Sequence, residues 1–199
     1  MVPKDADYAH SDGDNRDLCA RAARGDRVAY GALMRTWQIS LWRTARRYTG
    51  DEGEAEDLVQ DVFVAFWRRL NEAGPPANVG SYLRRATVNA CRDWSRRRAV
   101  RAFFFRAVPL DAAQHGQAVA AADKDQDQDQ DQDQELSILD ALIVALPAGL
   151  KEPLILCALE GLNHKQAGDV LGLSAKAIEN RIGRAKAQLR NNWPNVPLV

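Results

Sequence analysis

Residues 123–134 read DKDQDQDQDQDQ, and a segment of that composition has nothing to bury. With no apolar side chain it cannot offset the entropy of ordering its backbone, and its like charges repel, so it reads as an extended tether. Any packed core must lie to one side of it or the other. The Asp-x-Asp-x-Asp opening is also that of a calcium loop, but no register starting on an aspartate supplies the glycine expected sixth and the glutamate expected twelfth. No metal or cofactor site is expected from it.

The tether divides the 199 residues into two blocks of uneven charge, although the totals of 27 basic and 27 acidic residues cancel. Apolar periodicity in both blocks is helical throughout, which predicts an all-α protein: two small helical domains joined by an acidic flexible linker. The expected limits are a disordered tail over 1–14, a helical domain over 15–100, a linker over 101–134, a second helical domain over 135–193 and a tail over 194–199. Three widely spaced cysteines, Cys19, Cys91 and Cys157, fit reduced thiols rather than a disulfide framework. The longest apolar run, Ala141 to Leu146, is too short to span a bilayer. A cytoplasmic protein with no membrane insertion of its own is the expectation.

In the first block Asp26 is placed to cap a helix carrying Tyr30, Leu33, Met34, Trp37, Leu41, Trp42, Ala45 and Tyr48 as a bulky inner stripe. A helix from about Glu54 to Leu70 buries Leu58, Val59, Val62, Phe63, Phe66 and Leu70. Asp57, Gln60, Asp61 and Val64 fall together on its other side. That acidic patch suits a solvated face or a docking site for a basic helix, and the spacing does not separate the two. Asn71 to Ser81 has Gly-Pro-Pro punctuation and reads as a loop. Tyr82 to Arg98 then forms a helix with Leu83, Ala86, Ala90 and Trp94 inward and Arg85, Asn89, Arg92 and Arg96 outward. Eight arginines against one acid, Asp93, lie between Arg84 and Arg106, a density that suggests phosphate contact. Phe103 to Phe105 form an apolar cluster that needs a groove.

In the second block Leu136 to Leu146 is a short amphipathic helix, and Leu150 to Glu160 another. A start near Lys151 would place Pro153 in its first turn, since an interior proline costs about 3 kcal/mol. Asn163 to Arg190 then shows two helical patterns separated by Leu171-Gly172-Leu173, with Ser174 positioned to cap the second. This is the outline of a helix-turn-helix. Ile178, Ile182, Ala185 and Leu189 share the inward face, while Lys176, Asn180, Gly183 and Arg184 face out, a donor set suited to a major groove. A hairpin with a solvated basic face has the same periodicity. No nucleophile paired with a base and no phosphate-cradling glycine loop is apparent, and His10, His115 and His164 stand apart. No catalytic residue is assigned, and the chain is not expected to be an enzyme.

The stretch LPAGLKEPLILCALEGLNHKQAGDVLGLSAKAIENRIGRAKAQL resembles the promoter-reading C-terminal domain of bacterial sigma factors of the extracytoplasmic-function group, in the sigma-70 family. AEDLVQDVFVAFWRRL and SYLRRATVNACRDWSRRR resemble that group's N-terminal domain. The resemblance implies a non-enzymatic subunit that binds core RNA polymerase and directs it to particular promoter DNA. It implies core-polymerase contacts at Asp57, Gln60 and Asp61. Minus-ten contacts would come from Asn71, Ser81, Tyr82, Arg85, Asn89, Arg92 and Arg96, with the 71–81 loop capturing a flipped base. Minus-thirty-five contacts would come from Ser174, Lys176, Glu179, Asn180, Arg181 and Arg184. The linker resembles the family segment that threads toward the active-site and RNA-exit channels. An anti-sigma factor is an expected partner. Departures fall at Tyr82, where tryptophan is common, and at Glu179, where a basic residue is usual. Ala167 and Gly168 stand where the family often has larger residues, so the first hairpin helix is expected to be less stable. A polymerase-independent helix-turn-helix regulator is the alternative, and a charged protein-interaction scaffold a third; neither needs both the acidic patch and the arginine helix.

Overall fold

In the computed structural model, residues 12–107 and 129–193 are described, with side chains over 15–101 and 136–193. The expectations for the N-terminal tail before Asp12, for 108–128 and for 194–199 lie outside these residues, as do the side chains of Phe103 to Phe105. Four helices form a first unit: α1 (Asp12–Ala22), α2 (Arg27–Thr49), α3 (Glu52–Ala73) and α4 (Val79–Ala107). A second unit comprises α5 (Asp129–Ala145), α6 (Ala148–Leu154), a π-helical turn (Ile155–Leu159), α7 (His164–Leu171) and α8 (Ala175–Asn192). Both ends of the stretch 101–134 are thus helical, with α4 running to Ala107 and α5 starting at Asp129.

Local chemistry sets the corners of the first unit. The Asp26 carboxylate accepts from the backbone N–H groups of Val28 and Ala29 at 2.9 and 3.0 Å and from the Arg21 guanidinium at 2.8 Å. Those bonds hold its carboxyl below the usual carboxylate range, the Ala29 N–H contributing most. Gly50 ends α2 at φ 77°, and Asp51 opens α3 by accepting from the Glu54 N–H at 2.9 Å. Asn78 starts α4 by accepting from the Ser81 N–H at 2.7 Å.

The core then follows the apolar stripes. Leu33, Leu41, Ala45 and Tyr48 of α2 are buried against Leu58, Val62, Phe63, Phe66 and Leu70 of α3 and Leu83, Cys91 and Trp94 of α4. Each large side chain so buried contributes about 1.5–3 kcal/mol of transfer free energy. Tyr30, Met34, Trp37 and Trp42, expected on the same stripe, are half-buried at its edge. All three cysteines are free thiols, and burial raises the Cys91 pKa to about 12. No helix among the described residues is long and apolar enough to cross a membrane.

In the second unit Pro153 is interior to α6 and not in a first turn. Proline supplies no N–H to the ladder, and after Leu154 the residues Ile155–Leu159 wind as a π turn closed by the Glu160 N–H, which donates to the Ile155 carbonyl at 3.2 Å. Gly161 takes φ 65° immediately after, and Asn163 opens α7 with a reciprocal capping box to Gln166.

The hairpin corner depends on Gly168. It is buried in α7, and a Cβ there would lie 2.4 Å from the Leu173 carbonyl oxygen. The expectation that glycine weakens this helix is therefore reversed by its surroundings: the turn approaches too closely for any side chain. Gly172 at φ 70° closes α7 and allows that approach. Replacing Gly168 with Ala, a change that stabilises an open helix by about 1 kcal/mol, is expected here to destabilise the protein by about 1–3 kcal/mol. Thermal unfolding followed by circular dichroism checks the sign.

Candidate nucleic-acid and polymerase interfaces

Helix α8 presents one buried and one open side. Ser174 caps it by accepting from the Ala177 N–H at 3.2 Å, and Ile178 and Ala185 are fully buried, with Ile182 and Leu189 packed at the margin. Lys176, Asn180, Gly183 and Arg184 are exposed on the opposite side, as their spacing requires. Glu179 is also exposed and accepts from Lys176 Nζ at 2.8 Å. That bond, then the lysine charge, lowers its pKa, so the carboxylate is ionised among the basic groups. Arg181 differs from the rest of the set. It is half-buried, with Nη1 3.8 Å from a Cβ position at Gly149 on α6, and so turns away from the exposed stripe.

On α3, Asp57, Gln60, Asp61 and Val64 are all exposed, Val64 at 58%. Gln60 also borders an open cleft of about 570 Å³ between α2 and α3, lined by Met34, Ile39, Trp42, Val59 and Phe63. The patch is thus acidic on its ridge and apolar on its flank.

The arginine helix α4 departs furthest from a simple exposed stripe. Asn71, expected in a loop, is in the last turn of α3, where its Nδ2 donates to the Trp67 carbonyl at 3.0 Å; the loop is only 74–78. Past Leu70 the helix continues through exposed Asn71, Glu72 and Ala73 and is closed by Gly74, whose N–H donates to the Leu70 carbonyl at 3.2 Å. Ser81 is in the first turn of α4, half-buried, and Tyr82 packs 5.5 Å from Phe66 with the Arg69 guanidinium 5.4 Å over its ring. Asn89 is exposed, and Arg96 is exposed and paired with Asp93.

Arg85 and Arg92 are engaged by the second unit. Arg85 donates to the Asp169 and Val170 carbonyls, at the C-terminal end of α7, at 2.8 and 3.0 Å, where a cation meets the negative end of a helix dipole. Arg92 forms a two-pronged pair with Glu152, at 2.7 and 2.5 Å. Behind it the Glu160 carboxylate accepts from Ser40 Oγ and from Thr44 Oγ1 at 3.0 Å, with Arg84 Nε 3.8 Å away. Lys151 Nζ donates to the Tyr48 and Val144 carbonyls at 3.1 and 2.7 Å. Burial lowers its pKa. At the edge of the contact Arg47 pairs with Asp140 at 2.7 Å.

Sequence periodicity missed Lys151, Glu152 and Glu160 because each pairs with a residue 60 or more positions away. The available signal was two adjacent charges at 151–152 inside an otherwise apolar run.

Two family models match the chain: Sigma-70 region 2 over residues 33–101 and Sigma-70, region 4, over residues 136–189. It is 36% identical to the RNA polymerase sigma factor CnrH of Cupriavidus metallidurans, over 95% of each chain. Against the RNA polymerase sigma factor NccH of Alcaligenes xylosoxydans xylosoxydans it is 33% identical, over 86% of this chain and 90% of that one. Among solved structures, CnrH in complex with the cytosolic domain of CnrY superposes with a TM-score of 0.63 at 31% identity, covering 89% of this chain and 96% of that one. The sigma factor RpoE of Bartonella quintana, solved with the anti-sigma factor NepR, shares the fold at 20% identity and a TM-score of 0.60, over 81% of this chain and 94% of that one. The chain belongs to the sigma-70 family, in its extracytoplasmic-function group of RNA polymerase sigma factors, which act in transcription initiation.

The cap of α8 offers a direct check on the hairpin. Ser174→Ala removes the only side-chain acceptor at the start of that helix among the described residues. A loss of about 1 kcal/mol is expected, read as a lowered urea midpoint with an unchanged slope.

Proposed function

We propose that the chain directs promoter-specific initiation by reading a promoter at two points while bound to core RNA polymerase through α3. The observation that carries this reading is the pair of matched units, each presenting a basic helix, in the order the family requires. In this reading Lys176, Asn180 and Arg184 of α8 enter the major groove of the minus-thirty-five element, with Ser174 at the helix start near a phosphate. Glu179 accepts from a cytosine amino group there, since an ionised carboxylate beside Lys176 repels phosphate yet suits that donor. Arg181 supports the helix on α6 and does not read bases.

The minus-ten element falls to the first unit. Tyr82, tilted against Phe66 at 36°, offers an aromatic platform beside the short 74–78 loop for a base leaving the duplex, an event that costs a few kcal/mol. Ser81, Arg85, Asn89, Arg92 and Arg96 follow along α4 as backbone and base contacts, with Asn71 at the rim. Asp57, Gln60 and Asp61 form the core-polymerase contact, in which a basic amphipathic helix pairs its cations with the ridge and sets apolar side chains into the adjoining cleft. An anti-sigma factor is the proposed regulator, in keeping with the complexes in which CnrH and RpoE were solved. The work is non-enzymatic and cytoplasmic, where core polymerase is.

The test combines purified chain, core polymerase and genomic DNA, with sequencing of the run-off transcripts. Starts that share two spaced elements support the reading, whereas no binding to core would sink it. Two substitutions sharpen it. Charge reversal at Asp57 and Asp61 to Lys is expected to abolish core association in a pull-down while leaving helicity unchanged. Glu179→Lys is expected to alter base preference in the upstream element of selected promoters, and identical selection would remove this residue from the reading set.

A further inference from the structure

Arg69 stands apart from the arginines of α4. Arg84, Arg85, Arg92 and Arg96 each meet a carboxylate or a carbonyl. Arg69, half-buried near the end of α3, has no such partner among the described residues, although Glu72 lies one turn further along the same helix. Its guanidinium is set instead 5.4 Å over the ring of Tyr82. A half-buried cation that passes over a carboxylate for an aromatic face is placed by that face.

The contact is made across the short loop 74–78, which is anchored at both ends. The Gly74 N–H donates to the Leu70 carbonyl at 3.2 Å, and the Asn78 side chain accepts from the Ser81 N–H at 2.7 Å. Phe66, fully buried, lies 5.5 Å from the Tyr82 ring and steadies it. The ring is therefore fixed by its surroundings, whereas the guanidinium rides on a flexible stem. A base between two flat groups needs roughly 7 Å, twice the 3.4 Å step of stacked nucleotides, so the guanidinium has only to withdraw by roughly 1.5 Å from its present 5.4 Å. Rotamer adjustment of one arginine supplies that movement with no shift of α3. Guanidinium planes and aromatic rings both stack on unpaired bases, and the plane is what lysine lacks.

We propose that Arg69 forms the second face of the minus-ten base site: the extruded base enters between the Tyr82 ring and the Arg69 guanidinium and stacks on both. In the free chain the guanidinium holds the place that the base takes. The proposal rests on the assignment of Tyr82 to the minus-ten element above. It gives α3 two tasks, its acidic first half meeting core polymerase and its last turns meeting DNA. Stacking carries no hydrogen-bond code, so Arg69 strengthens capture of the base whatever its identity.

The experiment uses the full chain with core polymerase and a fluorescein-labelled forked duplex, made from a promoter recovered by the run-off sequencing, whose non-template minus-ten bases are single-stranded. Matching forks carry an abasic residue at each of those positions in turn, and anisotropy gives the affinity. In the parent, one abasic position marks the captured base. Arg69→Ala is expected to weaken binding of the intact fork roughly tenfold and to leave binding of the fork abasic at that position unchanged. Arg69→Lys keeps the charge and loses the plane, so it is expected to fall with Arg69→Ala; it also carries the test if the alanine variant does not fold. Arg68→Ala removes the neighbouring exposed charge and is expected to shift both forks by the same factor.

Equal losses on the intact and abasic forks would reduce Arg69 to a surface charge and overturn the proposal, as would an Arg69→Lys chain that binds like the parent. Tyr82→Ala is measured on the same forks. If its loss depends on the captured base and that of Arg69→Ala does not, the aromatic platform stands and the sandwich falls. If neither loss depends on any base, the platform itself falls and the sandwich with it.

Discussion

The placement of the two units depends on burying two carboxylates carried by one short stretch of chain. Glu152 on α6 and Glu160 just after the π turn are each almost wholly removed from water, at 3% and 2% exposure. Removing an ion from water costs several kcal/mol, which only a close partner and further hydrogen bonds offset. Arg92 meets the first requirement at Glu152, and Ser40, Thr44 and Arg84 meet both at Glu160. Loss of one partner would leave a buried charge unpaired, at a cost of about 3–5 kcal/mol. The position of α6 relative to α2 and α4 is set by those bonds together with Leu150, Leu154 and Ile155, which share one buried core with Leu41, Ala45 and Leu83.

The π turn belongs to the same constraint. Pro153 breaks the regular ladder, and the chain resumes with a wider turn before Gly161 redirects it toward α7. Glu160 is the last residue of that irregular passage, and it reaches hydroxyls on α2 some 116 to 120 positions earlier. Apolar packing accompanies the ion pairs. Gly50, at the end of α2, leaves room for Val144 of α5, whose Cγ2 would be 3.0 Å from any Cβ placed there. The contact combines apolar and charged elements, as interfaces between domains of one chain commonly do.

Much of each unit was legible in the chain because the controlling interactions are local. Asp26 and Ser174 cap the helices they precede, and Ile178 and Ala185 are buried as their spacing demands. The acidic ridge at Asp57, Gln60 and Asp61 and the open side of α8 at Lys176, Asn180 and Arg184 are exposed for the same reason. Periodicity misled where a neighbour from elsewhere intervened. Arg85 and Arg92 are on the outward face of α4 yet bonded to the second unit, Arg85 exposed and Arg92 half-buried. Gly168 is the clearest reversal: helix propensity counts it as a defect, whereas the Leu173 carbonyl makes it a requirement.

The sequence by itself determined the all-helical class, the two blocks and which side of each helix is apolar, because a 3.6-residue period, a capping side chain and a run of acid act within a few residues of themselves. It also determined the family, through motifs in fixed order. Only the tertiary structure decided which of the outward charges face solvent and which face each other. That choice depends on distances between residues such as Arg92 and Glu152, which are 60 positions apart in the chain and in contact in space. Charge at that separation carries no periodic signature, so the pairing of these groups emerges only when the units are packed.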